Sequence, residues 1–438
     1  MELIDSKFNS ILDSIDLIDT VTHEGRISQI IGLVIEATGL EGSLGDLCSI
    51  RTKDNRTIQA EIVGFKGNKI LMMPFGEIMG ISPGSPVSVN SQPMNIPVGE
   101  QLLGRILDGM GNPIDGKGPI TGSQSQPVYN VPPDPLDRKR ITEVMSTGIR
   151  SIDGFLTLGK GQRVGIFSGS GIGKSVLLGM ISRFTSAEVN VIALIGERGR
   201  EVREFIERDL GPEGLKRSVV IVATSDQSAM VRIKGSLIAT AIAEYFRDEG
   251  KNVMFMMDSL TRVAMAQREI GLAIGEPPTT KGFTPSVFSF LPKLLERTGT
   301  GKKGSITGLY AVLVEGDDMD DPIGDTARSI LDGHIILSRK LSTKGHYPAV
   351  DVLDSVSRLF SEIADKNHIK CTKELIELLS EYREAEDMIS IGAYSEGSNP
   401  KVDRAIQLKS KINKILRQDI NETSQFDETL NSLYEALD

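Results

Sequence analysis

Residues Ser168 to Ser175 read Ser-Gly-Ser-Gly-Ile-Gly-Lys-Ser, and together with their flanks they restrict the possible folds more than any other stretch. Arg163 to Phe167 is a short apolar run of buried-strand character, while Val176, Leu177, Met180 and Ile181 recur at helical spacing. A strand that turns through a glycine-rich loop straight into a helix is a unit of open α/β folds, and it makes a phosphate cradle. The glycines free backbone N–H groups to curl around phosphate oxygens, Lys174 reaches the β/γ-phosphates, and Ser175 ligates Mg²⁺ at the helix start. Ser168, Gly169, Ser170, Gly171, Ile172, Gly173, Lys174, Ser175 and Val176 are therefore the expected phosphate-binding residues. The usual pattern begins with Gly where this chain has Ser168, and a Gly/Ser surface turn that happens to precede a lysine is the competing reading.

The same alternation continues beyond the loop. Val191 to Ile195, Val219 to Ala223, Val253 to Met257, Leu309 to Val314 and His334 to Leu337 are apolar β-type runs separated by helical patterns. Such alternation predicts βαβ units around a parallel sheet covered on both faces. At 438 residues the chain exceeds what one hydrophobic core organises, so two or three domains are expected.

Upstream, Gly25 to about Ser91 changes to closely spaced strand-like runs: Arg26 to Ile31, Leu33 to Ala37, Leu47 to Ile50, Ile58 to Phe65, Ile70 to Met73 and Val87 to Val89. Short strands with regular turn signals predict a small barrel, a closed sheet without exposed edges. Only Phe65 and Phe75 could offer stacking surfaces there, and the formal net charge is −10, so nucleic acid is not an expected partner. Leu3 to Ile18 carries apolar residues at helical spacing and reads as an amphipathic helix, packed on its own domain or docking a partner. Leu102 to Gly118 and the proline-rich Gly122 to Pro135 read as an extended surface connection, and after about Leu359 helical patterns take over: Lys373 to Tyr382, Pro400 to Leu416 and Ser424 to Leu437. Cys48 and Cys371 lie far apart without metal-ligand spacing, which fits a reducing cytoplasm. No stretch approaches the roughly 18 to 20 apolar residues that span a bilayer, so membrane contact is expected to be peripheral.

Ligands of open parallel sheets collect at the carboxyl ends of the strands, which directs attention to two acids. Asp258 closes Asn252 to Met257 and is placed to serve as the outer carboxylate for Mg²⁺ and its waters, or else as an N-cap of the helix that follows. Glu197, in Gly196-Glu197-Arg198-Gly199-Arg200-Glu201, is placed to polarise a water, or else to pair with Arg198 or Arg200 at the surface.

The loop, the Gly196 to Glu201 run, Asp258, Gly275-Glu276-Pro277-Pro278 and Gly345-His346-Tyr347-Pro348-Ala349-Val350-Asp351 together resemble the rotary-type ATPases, whose catalytic subunits form hexameric rings. Within them the chain is most similar to the flagellar type III export ATPases, through Glu315-Gly316-Asp317-Asp318-Met319, Asp332-Gly333-His334-Ile335 and Ile391-Gly392-Ala393-Tyr394. The resemblance covers about Gly25 to Asp403. It implies an α/β protein with a RecA-like P-loop nucleotide-binding core, an N-terminal β-barrel and a C-terminal helical domain, divided as 1–20 (helix), 21–95 (barrel), 96–362 (core) and 363–438 (helices).

The resemblance also implies roles. ATP and Mg²⁺ would be the cofactors, with Lys174 on the phosphates, Ser175 and Asp258 on the metal side, and Glu197 activating water with Arg198 nearby. Tyr347 would stack on adenine, although a core tyrosine before Pro348 is the plainer reading. Arg358 would be an arginine finger in the neighbouring subunit's site, worth roughly 10³ to 10⁵ in rate, against a surface ion pair as the alternative. Implied partners are a homohexameric ring, a stator-like regulator at the N-terminal helix, export-gate and stalk proteins, and export chaperones with their substrates at the inner membrane's cytoplasmic face. Lys281 stands where the resemblance leads one to expect Arg. The competing functions are an injectisome export ATPase, a ring subunit that binds nucleotide without hydrolysing it, and a ring-shaped RNA translocase.

Overall fold

The structure is a computed structural model that describes residues 24–90, 93–120, 124–314 and 321–437. The amphipathic helix expected at Leu3 to Ile18 and the Glu315 to Met319 motif lie outside the described residues. The chain divides into two compact units, Met1–Met94 and Asn95–Asp438.

In the first unit six strands close into a barrel: β1 (Glu24–Ile31), β2 (Val34–Thr38), β3 (Leu47–Arg51), β4 (Thr57–Lys66), β5 (Lys69–Pro74) and β6 (Pro86–Asn90), in the order β1-β2-β5-β4-β3-β6. All six runs read from the sequence are present. Alternate residues turn inward, so Ile27, Ile35, Ala37, Cys48, Ile50, Ile62, Met72 and Val87 fill the interior. Closure pairs β1 with β6 and leaves no free edge.

The second unit is built on a sheet whose eight main strands are β7 (Arg105–Asp108), β8 (Arg163–Ser168), β9 (Val189–Ile195), β10 (Ser218–Ala223), β11 (Asn252–Asp258), β12 (Ser305–Leu313), β13 (Gly333–Leu337) and β14 (Val350–Ser357). Their order is β14-β13-β8-β12-β11-β9-β10-β7. Every residue of β9 and β10 is buried, as expected where helices cover both faces of a parallel sheet. Among these helices are α1 (Lys174–Phe184), α2 (Ala229–Asp248) and α3 (Leu260–Ala273). Gly250, at φ 91°, follows the C-cap Glu249 and terminates α2.

Two strands depart from the sequence reading. Arg105 to Asp108, expected as part of a surface connection, pairs in parallel with β10 and forms one edge of the sheet. Its four residues are too few for a periodic signal, and the sheet rather than local pattern recruits them. The other edge, β14, runs antiparallel to β13, where a purely parallel sheet was expected.

The C-terminal helices α4 (Lys366–Ser390), α5 (Pro400–Leu416) and α6 (Phe426–Leu437) pack their apolar faces onto this unit. Leu375, Leu379, Ile412, Ile415 and Leu433 belong to the same hydrophobic cluster as Ile152, Phe155, Ile166 and Leu177. Asn399 caps α5 by accepting from the Lys401 N–H at 3.0 Å, with Pro400 in the first turn. Asp365 caps α4 in the same way.

Candidate active site

The glycine-rich loop lies where the sequence placed it, between the carboxyl end of β8 and the first turn of α1. Gly171 and Gly173 have φ of 75° and 97°, in the left-handed region that only glycine enters without strain. Gly173 is the N-cap residue of α1, and no side chain caps that helix, so its N-terminal N–H groups and dipole are presented to the loop. Ser168 is buried at the strand end, and its Oγ has no hydrogen-bond partner. Open left-handed glycines, an uncapped helix N-terminus and a cation beside them fit a polyphosphate anion.

Lys174, Glu197 and Asp258 come together from three strand ends. The Lys174 ammonium donates to Asp258 Oδ1 and lies 3.7 Å from Glu197 Oε1. All three side chains are shielded, with 10 %, 19 % and 4 % exposure for Lys174, Glu197 and Asp258. Asp258 is not the helix cap that its position left open, because Ser259 takes that role for α3 by accepting from the Arg262 N–H. Glu197 is likewise no surface partner of the neighbouring arginines. Arg198 pairs with Glu201 at 3.3 Å and Arg200 with Glu204 at 2.8 Å. Burial, reinforced by the nearby Asp258 charge and opposed by Lys174, pushes the Glu197 carboxyl up to about 8.

Tyr347 lies over the loop. A Cβ added to Gly173 would stand 3.6 Å from its Cε1, the residue is 47 % exposed, and its hydroxyl shares a hydrogen bond with Ser342 Oγ at 2.9 Å. It is thus a surface-facing ring beside the cradle rather than a core tyrosine. Ser175 is exposed on the first turn of α1, with Val176 behind it.

Two expected residues are not part of this cluster. Arg198 projects outward with its side chain 80 % exposed. Arg358 follows β14, and because β14 is antiparallel, Ser357 pairs with Gly333 and the Arg358 N–H donates to Asp332 O at 3.0 Å. That places it beside the amino ends of the parallel strands, opposite the loop. Its guanidinium donates to the Arg328 carbonyl at 3.0 Å and has no carboxylate partner among the described residues. No group of three or more His, Cys, Asp or Glu that could hold a metal occurs among the described residues, so a cation here would depend on Ser175, Asp258 and the anion's own oxygens.

Three family models match this chain. Those described as the nucleotide-binding domain and the beta-barrel domain of the ATP synthase alpha/beta family match residues 148–357 and 27–88, and one described as the T3SS EscN ATPase C-terminal domain matches 364–435. The chain is 54% identical to the flagellum-specific ATP synthase of Bacillus subtilis (strain 168) over 98% of both chains. It belongs to the ATP synthase alpha/beta family. Other similar members are the type 3 secretion system ATPase of Xanthomonas euvesicatoria, 49% identical over 94% of both chains, and the assembled EscN ATPase of the enteropathogenic E. coli type III secretion system. The EscN structure superposes with a TM-score of 0.90 at 43% identity, covering 94% of this chain and 100% of that one.

One further cation, which the sequence reading did not single out, lies against the strand end that precedes Glu197. Arg262, four residues after Asp258, lays its side chain against Gly196, where a Cβ would come within 2.6 Å of its own. Its Nε is buried without a hydrogen-bond partner, and its Nη1 lies 3.8 Å from Met265 Sδ. The signal was available: a cation on the first turn of the helix that follows a strand-end carboxylate.

Proposed function

We propose that this chain is the ATP-hydrolysing motor of a flagellar type III protein export apparatus, converting ATP and water to ADP and phosphate in step with export. The observation that carries this reading is the convergence of Lys174, Glu197 and Asp258 at the carboxyl ends of the sheet beside an open glycine cradle. Lys174 exchanges Asp258 for the β/γ-phosphates when ATP enters, and the loop N–H groups hold the rest of the chain of phosphates. Ser175 Oγ, and Asp258 through water, would hold Mg²⁺, which would supply neutralisation of the charge on the phosphate oxygens. Glu197, once ionised, orients the attacking water and accepts its proton. Arg262, packed on Gly196 with an unpartnered Nε, is a second cation available to the transferred phosphate, Arg198 turns inward when the site is loaded, and Tyr347 stacks on the adenine.

Arg358 completes the site from a neighbouring copy in a homohexameric ring. EscN, which is similar over nearly the whole chain, is described both as an assembled ATPase and in complex with its central stalk EscO, which supports a ring and a stalk partner here. A stator-like regulator at residues 1–20, the export gate, and chaperones with their substrates are the further partners, with the ring peripheral at the cytoplasmic face of the membrane. Among the described residues no helix is long and apolar enough to cross a membrane. The 49% identity to the Xanthomonas protein favours one second reading, the ATPase of an injectisome. Loss of swimming on deletion distinguishes the two.

Phosphate release measured against protein concentration tests the motor reading. Specific activity should rise cooperatively as rings assemble. Glu197→Gln should bind ATP and release no phosphate. Turnover equal to that of the unaltered chain would remove Glu197 from its role.

A further inference from the structure

The turn after α5, Arg417 to Glu422, is fastened to the nucleotide-binding core by a set of hydrogen bonds centred on the buried Gln418. Gln418 is 5 % exposed. Its backbone N–H donates to the Tyr347 carbonyl at 3.0 Å. Its Oε1 accepts from the Arg150 N–H at 2.9 Å, and its Nε2 donates to Gly148 O at 2.8 Å and Glu422 O at 2.7 Å. The side-chain amide therefore uses its oxygen and both its hydrogens. Around it, Arg183 near the end of α1 donates to Ile420 O at 2.6 Å and Asn421 Oδ1 at 3.0 Å, and Arg150 donates to Ile415 O at 3.2 Å.

The anchor is firm. Gly148 belongs to a turn whose groups converge on the buried Asp153, which accepts from Thr147 N at 2.8 Å, Thr147 Oγ1 at 2.7 Å, Ser146 Oγ at 2.7 Å and Gly148 N at 2.9 Å. At the other end of the chain of contacts stands Tyr347, whose ring lies over Gly173 of the phosphate loop.

We infer that Gln418 is a positioning residue for Tyr347: it locks the turn after α5 to Gly148 and Arg150, and the locked turn holds the Tyr347 backbone so that its ring is set for a purine base. The C-terminal helices thereby control the base end of the site and leave the phosphate end alone, because Gln418 touches neither the loop nor Lys174. Removing the amide leaves the buried Gly148 carbonyl and the partly buried Arg150 N–H and Glu422 carbonyl without that partner, so the turn shifts to find water. This inference rests on the reading that Tyr347 stacks on adenine.

The test separates base from phosphate. Gln418→Ala should raise the KM for ATP roughly tenfold, the scale of one lost base stack, while kcat stays within about twofold. Inhibition by tripolyphosphate, which has phosphates and no base, should be unchanged. In a Tyr347→Ala background the Gln418→Ala change should add nothing further to KM. Equal weakening of ATP and tripolyphosphate, or additive effects of the two substitutions, would overturn the inference. If Tyr347→Ala alone leaves the KM for ATP intact, the adenine reading fails instead, which is a distinct outcome. Gln418→Met keeps the buried volume without the hydrogen bonds and should give the same pattern if the alanine variant does not fold.

Discussion

At the scale of the residue, Glu197 is the group whose environment says most. A carboxyl at the surface would be ionised throughout the neutral range, whereas burial and the Asp258 charge raise this one to about 8. A base must be deprotonated to accept a proton from water, so the active fraction of the free enzyme grows as pH rises through that value and falls below it. The profile of kcat/KM against pH should therefore show a rising limb with a midpoint near 8, followed by a plateau. A profile flat from pH 6 to 9 would mean that Glu197 does not act as the base in its free-enzyme ionisation state. Neighbouring residues show how narrow the sequence signal was. Position after a strand was enough to single out Glu197 and Asp258, but it left open whether Glu197 instead paired with an arginine and whether Asp258 instead capped a helix. Only the fold shows that Lys174 meets both acids and that Ser259 does the capping. Arg262 carried a weak signal in its place on the first turn after Asp258, but its packing against Gly196 is a contact across the chain that only the fold shows.

At the scale of the element, the strand, loop and helix from Arg163 to Phe184 were legible because each piece carries its own pattern: an apolar run, glycines at fixed places, and a 3.6-residue repeat. The six barrel strands were legible for the same reason, through alternation and turn residues. The two sheet edges were not. Arg105–Asp108 has four residues, and Val350–Ser357 sits inside a stretch whose motifs drew the reading toward chemistry rather than structure. Edge strands are recruited by a neighbour's free hydrogen-bonding groups, a cause that lies outside their own sequence. The glycine at the head of α1 offers a test at this scale. Gly173 holds φ 97°, and an alanine there would be forced into a left-handed conformation with its methyl 3.6 Å from the Tyr347 ring. Gly173→Ala should lower stability by about 1 to 2 kcal/mol, measured by denaturant unfolding. It should also weaken nucleotide binding through displacement of the loop N–H groups. An unchanged unfolding midpoint would show that the loop relaxes to another backbone conformation at no cost.

At the scale of the whole molecule, the antiparallel edge strand decides what one chain can do alone. Lys174, Glu197 and Asp258 follow the carboxyl ends of parallel strands, while Arg358 follows β14 and lies beside Gly333 at the amino end of β13. The five residues of β13 put the two ends about 13 Å apart. That distance exceeds the reach of an arginine side chain, so a finger role for Arg358 requires the site of another copy. Head-to-tail contacts that close into a ring provide such a geometry, since each copy then offers one complete loop and one finger to different neighbours. The consequence can be tested with two inactive variants. Arg358→Ala retains the loop and lacks a finger, and Lys174→Ala lacks the phosphate lysine and retains the finger. Each alone should lose most of its turnover, by roughly 10³-fold for the finger variant. Mixed in equal amounts and allowed to assemble at random, they should form complete sites at about a quarter of the interfaces, where an intact loop meets an intact finger. Phosphate release from the mixture should approach that fraction of the unaltered rate and should vanish on dilution below the assembly concentration. Activity no greater than the sum of the two separate variants would mean that Arg358 does not act between copies, and the exposed guanidinium would then need another explanation.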